Sequence, residues 1–294
     1  MAGVDEITMD HLAVASERAW DNMIRYCYHL GGEWLGGPTN DPDSEAGEHF
    51  YFAQVAFANG TKIELLEPLP GNPGSDFIRR YLWRNGPGPH HYTFKVPDLD
   101  EAMAAVSGAG YELVGVNREN PNWQEAFLHP KQSHGIVIQL ACQGGEGGGW
   151  IDATALPPAG RAVASLDRCV HLVADLSAAT KLFGGVLNLT EMNRGTDRAG
   201  EFVELANGPW VLRLVQPEHA AWRHWLGDRA GRLHHVAVSL DDPASVPGAM
   251  WRPAAVDAAG DGSDEAASDA AYPERYEIPP EYNLGLRLRL NARR

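Results

Sequence analysis

The chain has 294 residues, enough for two domains of ordinary size or one large barrel, and 44% of them are hydrophobic, nine being tryptophan. The formal net charge of −15 excludes a general nucleic-acid binder, which needs a basic face to displace counterions. The dispersed Cys27, Cys142 and Cys169 form no CxxC, and neither a secretory signal nor an apolar run of roughly 20 residues is evident, so a cytoplasmic protein with reduced thiols and no membrane partner is expected.

The chain opens with a short strand around His11, followed by "SERAWDNMIRYCYHLGG", where Trp20, Met23, Ile24 and Cys27 recur at helical spacing before Gly31-Gly32. "HFYFAQVAFAN" and "TKIELLEP" read as a hairpin turning at Asn59-Gly60. "DFIRRYLWRNG" reads as a connecting helix and "HHYTFKV" as a further strand. "DLDEAMAAVSGAG" then reads as a helix capped by Asp98 or Asp100, and "EAFLHP" and "HGIVIQLA" as strands. This order is βαβββ, twice.

The same unit recurs downstream. "MDHLAVAS" (9–16) resembles "CVHLVADL" (169–176), "ANGTKIELLEP" (58–68) resembles "ANGPWVLRLVQP" (206–217), and "PHHYTFKV" (89–96) resembles "LHHVAVSL" (233–240). Between the halves, "QGGEGGGWIDATALPPAG" has the Gly and Pro content of a linker. The expected organisation is a first domain at 1–142, a linker at 143–165 and a second domain at 166–294. "AAVDAAGDGSDEAASDAAYPERY", near the end, reads as a surface insertion.

Neighbouring residues on a strand point to opposite faces. His11, Ala13 and Ala15 therefore share one face, as do His91, Thr93 and Lys95, while the bulkier residues between them point to a core. Strict alternation sends His90 to the bulky side or just outside the strand, and it is expected to be a structural neighbour of His91 or to support it from behind.

Taken together, "DHLAVAS", "TKIELLEPL", "GPHHYTFKVPDLDEAMAAV" and "FLHPKQSHGIVIQLA", in this order, resemble the vicinal oxygen chelate superfamily, and most closely its methylmalonyl-CoA epimerase and glyoxalase I-like members. The resemblance implies an α+β fold in which four βαβββ modules pair into two vicinal-oxygen-chelate domains, each a cup. It places the metal ligands at His11, Glu64, His91 and Gln139 and implies a divalent cation (Zn, Co, Ni, Mn, Mg or Fe). Two imidazoles, a carboxylate and an amide oxygen suit such an ion. Glutamine at 139 departs from the glutamate common in these relatives, and an amide cannot serve as a general base. The candidates for that role are Glu64, Glu48, His49 and Glu125.

In the second half the sequence repeat matches His171 and His235 to two ligand positions, Arg213 or Leu212 to Glu64, and Arg289 to Gln139. Arginine stays protonated and ligates metals poorly, so no second metal site is expected. That half is either a degenerate copy kept for packing or an anion pocket lined by Arg213, Arg287 and Arg289. The activity implied by the resemblance is that of a metal-dependent isomerase, epimerase or glyoxalase-like lyase, acting by proton abstraction next to a carbonyl. Its substrate would be a small carbonyl or acyl-CoA-like molecule, and the chain could form a homodimer. The alternatives are an Fe(II) ring-cleaving dioxygenase of extradiol type and a protein that sequesters a small molecule.

Overall fold

A computed structural model describes residue 4 and residues 6–36, 50–143, 163–251, 276–283 and 285–293. In the first half, β1 (Thr8–Ala15) leads into α1 (Ala19–Met23), which runs on as a wider π-helical turn through Ile24–His29. Then come β2 (Glu33–Gly36), β3 (Phe50–Ala56), β4 (Lys62–Pro68) and the connecting helix α2 (Asp76–Asn85). The second module is β5 (Gly88–Lys95), α3 (Leu99–Gly108), β6 (Leu113–Asn120), β7 (Trp123–Leu128) and β8 (Val137–Cys142). Asp98, not Asp100, caps α3, its carboxylate accepting from the Glu101 amide at 3.0 Å.

The second half repeats the plan. It runs β9 (Ser165–Val173), α4 (Leu176–Thr180, continued by a π-helical turn at Lys181–Val186), β10 (Thr190–Asp197), β11 (Gly200–Asn207) and β12 (Trp210–Pro217). After α5 (Ala220–Leu226) come β13 (Gly231–Leu240), β14 (Met250–Trp251), β15 (Tyr276–Ile278) and β16 (Leu288–Ala292). The fourth module is abbreviated. Where α3 stands in the second module, the described residues hold only a 3₁₀ turn, Pro243–Ser245, and Pro247 just beyond it lacks the N–H that a continuing helix needs. Most of the expected linker (144–162) and nearly all of the expected insertion (252–275) lie outside the described residues.

Each half forms one eight-stranded sheet, in the orders β2-β3-β4-β1-β5-β8-β7-β6 and β10-β11-β12-β9-β13-β16-β15-β14. The two opening strands of each half, β1 with β5 and β9 with β13, run antiparallel at the centre, and each is flanked by a parallel partner from its own module. One face of each sheet is apolar. Leu12, Val14, Ile63, Leu65, Tyr92, Phe94, Ile138 and Leu140 share a single buried core with Cys169, Leu212, Leu214, Val236, Val238 and Leu288 of the other sheet. Burial of that apolar area, continuous across the halves, is the main force holding them together.

Two repeated asparagines clasp the halves. Asn59 Nδ2 donates to the Leu166 carbonyl at 2.8 Å, and Asn207 Nδ2 donates to the Ile7 carbonyl at 2.9 Å. Asn207 Oδ1 also accepts from the Met9 amide at 2.6 Å. Each turn of the repeated "ANG" motif therefore grips the opening strand of the opposite half. Backbones also meet directly: a Cβ on Gly135 (φ +84°) would lie 1.7 Å from the Gly231 carbonyl oxygen, so only glycine fits.

The other, site-bearing face is shaped by bulges. In the β1–β5 ladder the register shifts between Met9 and His11, leaving Asp10 extra, and again between Ala13 and Val14, whose partners His91 and Pro89 leave His90 extra. The β9–β13 ladder shifts at the corresponding places, leaving Asp167 and His234 extra. A bulge lets two successive side chains face the same side and re-aims them. This overturns the strict alternation applied to His90. Its ring lies on the site face, 5.8 Å from Phe77 and 4.8 Å from Tyr81 of α2.

Candidate metal centre

Four strands side by side bring the expected residues together. In register, β1 places Ala13 between Glu64 of β4 and His91 of β5, while Thr93 lies between His11 of β1 and Gln139 of β8. His11, Glu64 and His91 each offer a ligand atom, and these atoms lie within 4.8 Å of one another. His11 Nε2 is 3.1 Å and His91 Nε2 3.8 Å from Glu64 Oε2. Gln139 joins through Thr93, whose hydroxyl donates to Gln139 Oε1 at 2.5 Å and sits 2.8 Å from His11 Nε2.

Behind these residues is a supporting layer, of which only His90 was expected from the sequence. Asp10, turned inward by its bulge, contacts His11 Nδ1 at 2.8 Å and is itself held by Lys62 Nζ at 2.5 Å and Lys95 Nζ at 3.4 Å. Gln54 Nε2 donates to Glu64 Oε1 at 3.1 Å, and the Nδ1 atoms of His90 and His91 are 2.8 Å apart. Carboxylate and ring partners on the far nitrogen of a histidine fix its orientation and tautomer. Of this layer, Gln54 had a readable signal, because a hairpin turning at Asn59-Gly60 puts it directly opposite Glu64. Asp10 had none, because a bulge has no sequence signature here.

The charges are coupled. Burial disfavours a charged His11, but the Glu64 and Asp10 carboxylates outweigh it and raise the imidazole to about 9. Burial likewise opposes the Glu64 charge, yet His11 and the Gln54 hydrogen bond hold its carboxyl below the usual range. His91 is pushed well below its ordinary value by burial, with His90 and His11 adding repulsion, so its ring is neutral. His91 Nε2 is buried and has no hydrogen-bond partner, while it points at the Glu64 carboxylate. A buried ring nitrogen left without a partner is costly, and a divalent cation among two imidazoles and a carboxylate gives it one. The donor set fits a metal.

Of the candidate bases, Glu125 on β7 reaches the site, its Oε2 accepting from Gln139 Nε2 at 2.6 Å and from Trp123 Nε1 at 2.9 Å. Glu64 lies among the donor atoms. Glu48 and His49 lie outside the described residues.

The second sheet corrects the repeat alignment. Val170 pairs with Arg213 and His235, as Ala13 pairs with Glu64 and His91, so His11 corresponds to Arg168 and not to His171. His171 corresponds to Val14 on the core face, with its Nε2 2.8 Å from the His134 carbonyl and its Nδ1 3.3 Å from the Tyr92 hydroxyl. The "HL" shared by the two opening strands falls at different ladder positions, because the register is set by the bulges at Asp10 and Asp167. Register also resolves the Glu64 counterpart as Arg213, and Arg289 takes the place of Gln139.

Residues 10–127 match the family described as the glyoxalase/bleomycin resistance protein/dioxygenase superfamily, a span that holds His11, Glu64 and His91. No curated protein matches the chain. Among solved structures, a hypothetical protein from Bacillus halodurans C-125 is 23% identical, with 49% of this chain and all of that one covered, at a TM-score of 0.41. Methylmalonyl-CoA epimerase from Mycobacterium tuberculosis is 26% identical over 47% of this chain and 89% of its own, at 0.40. A xylose isomerase-like TIM barrel/4-hydroxyphenylpyruvate dioxygenase fusion protein is 15% identical and covers 96% of this chain at a TM-score of 0.58, with this chain spanning 48% of its length. That last likeness extends the shared fold across both sheets. No helix among the described residues is long and apolar enough to cross a membrane.

Proposed function

Since residues 10–127 match the glyoxalase/bleomycin resistance protein/dioxygenase superfamily, we propose that the N-terminal sheet is a divalent-metal centre catalysing proton abstraction next to a carbonyl, as an isomerase, epimerase or glyoxalase-like lyase. The observation that carries this reading is the convergence of His11, Glu64 and His91 within 4.8 Å around the partnerless His91 Nε2. These three residues would hold the ion, with Gln139 beside them. When bound, such an ion withdraws charge from a substrate carbonyl oxygen and so lowers the cost of the developing enolate.

The protein's own residues supply the rest. Asp10 keeps the His11 ring oriented, and Gln54 holds one oxygen of Glu64. Glu125 is assigned the proton. Both of its hydrogen bonds fall on Oε2, so Oε1 takes the proton from carbon and returns it to a neighbouring atom on the same face, whereas inversion at the same carbon would need a second proton donor on the opposite face. Gln139 then positions Glu125 rather than acting as the base itself. Acyl-CoA or small keto compounds are the substrate class of this reading. An intracellular setting, in keeping with the free Cys27, Cys142 and Cys169, belongs to it as well.

Two histidines and one carboxylate also suit Fe(II), which favours a ring-cleaving dioxygenase as the second reading. Metal analysis of the purified protein, followed by incubation with acyl-CoA and keto substrates in heavy water, tests the first. Stoichiometric divalent metal with deuterium uptake next to the carbonyl is expected. Oxygen consumption with catechols and no deuterium uptake would replace it with the dioxygenase, and protein without metal would refute both.

A further inference from the structure

The second sheet carries a different chemistry at the same places. The row His11–Thr93–Gln139 becomes Arg168–Ala237–Arg289, and the row Glu64–Ala13–His91 becomes Arg213–Val170–His235. We propose that the site face of the C-terminal sheet binds a small oxyanion, a carboxylate or phosphate group, between Arg168, Arg289 and Arg213.

Three of the four donor positions hold guanidinium groups, which share the face with the carboxylates of Asp197, Glu204 and Glu277. Arg168 and Arg289 pair with Ala237 from either side, which puts their Cα atoms two strand spacings, or roughly 10 Å, apart. Arginine arms of that reach can close on one ligand from both sides. Their planar forks pair with carboxylate and phosphate oxygens two at a time, and they remain charged at any working pH.

The third guanidinium is held in a fixed plane. Arg213 is buried, its Nη1 bonded to Glu204 at 2.8 Å and its Nη2 to Asp197 at 2.5 Å, and its guanidinium stacks 3.6 Å above the Phe202 ring. Glu277 lies 3.7 Å from both Arg287 and Arg289 and braces the last strand. His235 reports the resulting field. Burial, then Arg289, His234, Arg287 and Arg168, drive its ring well below the ordinary value. One architecture thus presents a cation site on one sheet and an anion site on the other.

The test is titration of the full-length protein with inorganic phosphate and, separately, with malonate, at ionic strength fixed with sodium chloride, followed by calorimetry. One saturable site is expected for at least one of the two anions, weakened tenfold or more in both Arg168→Gln and Arg289→Gln. His91→Ala, which removes a donor from the other sheet, should leave it unchanged, so the result does not depend on the metal centre. Preference for phosphate assigns a phosphorylated ligand, and preference for malonate a carboxylate. Should a glutamine variant fail to fold by near-ultraviolet circular dichroism, Arg289→Lys keeps the charge, loses the fork and must also weaken binding. No saturable site on the wild type, or undiminished binding in either folded arginine variant, overturns the proposal.

Discussion

The proton on His11 makes metal binding pH-dependent in a way that can be calculated in advance. Without metal, Glu64 and Asp10 hold that imidazole at about 9, so at pH 7 it carries a proton on Nε2 that any cation must displace. Two pH units below the pKa, the competition weakens apparent affinity about 100-fold, or about 3 kcal/mol. The direction follows from the raised pKa: the proton is bound below about pH 9 and lost above it, so metal affinity rises with pH up to that point. His91 and Glu64 add no proton, since both are shifted downwards. Calorimetric titration with Mn²⁺ at pH 6, 7 and 8, repeated in buffers of different ionisation enthalpy, should give close to one proton released per ion and a tenfold gain in affinity per pH unit. Asp10→Asn should lower the His11 pKa, and with it the number of protons released at pH 8. Affinity that is flat from pH 6 to 8 with no proton released would refute the coupling of His11 to Glu64 and Asp10.

Other consequences are as direct. His11→Ala or His91→Ala should abolish stoichiometric divalent metal by elemental analysis while the far-ultraviolet circular dichroism stays native. Glu125→Gln should lower kcat by about 10²- to 10⁴-fold in whichever exchange reaction is found, with the bound metal retained, and full activity would remove Glu125 as the base. Asn207→Ala removes two hydrogen bonds between the halves and should cost about 1–3 kcal/mol in urea unfolding, with the metal centre intact before the transition. Gly135→Ala forces a Cβ against the Gly231 carbonyl at a positive φ and should cost at least about 2 kcal/mol, so a near-neutral result would contradict the close backbone approach.

The hairpin at Asn59-Gly60, the helices at 76–85 and 99–108, and the duplicated strand order follow from periodicity and turn chemistry, which are local properties. So does the polarity of most strands. Leu12 and Val14 are fully buried in the common core, and Tyr92 and Phe94 join them there, as alternation requires. The fourth module was harder to read, because Pro247 breaks the helix that its repeat partner forms.

For the candidate site, the sequence by itself offered His11, Glu64, His91 and Gln139 as expected donors through its resemblance to the vicinal oxygen chelate superfamily, and alternation put His11 and His91 on the strand faces opposite the bulky residues. What only the tertiary structure decided were the bulges at Asp10 and His90 and their counterparts at Asp167 and His234. A bulge is settled by how two distant strands fit together, and one unpaired residue changes the face of everything before it. For that reason the support of His11 by Asp10, the place of His90 against α2 and the match of Arg168 to His11 could not be read from either strand alone. In the second half the repeat placed His235 in the correct register but His171 in the wrong one. Paired strand by strand, that half holds Arg168, Arg213 and Arg289 in three of the four places and His235 in the fourth.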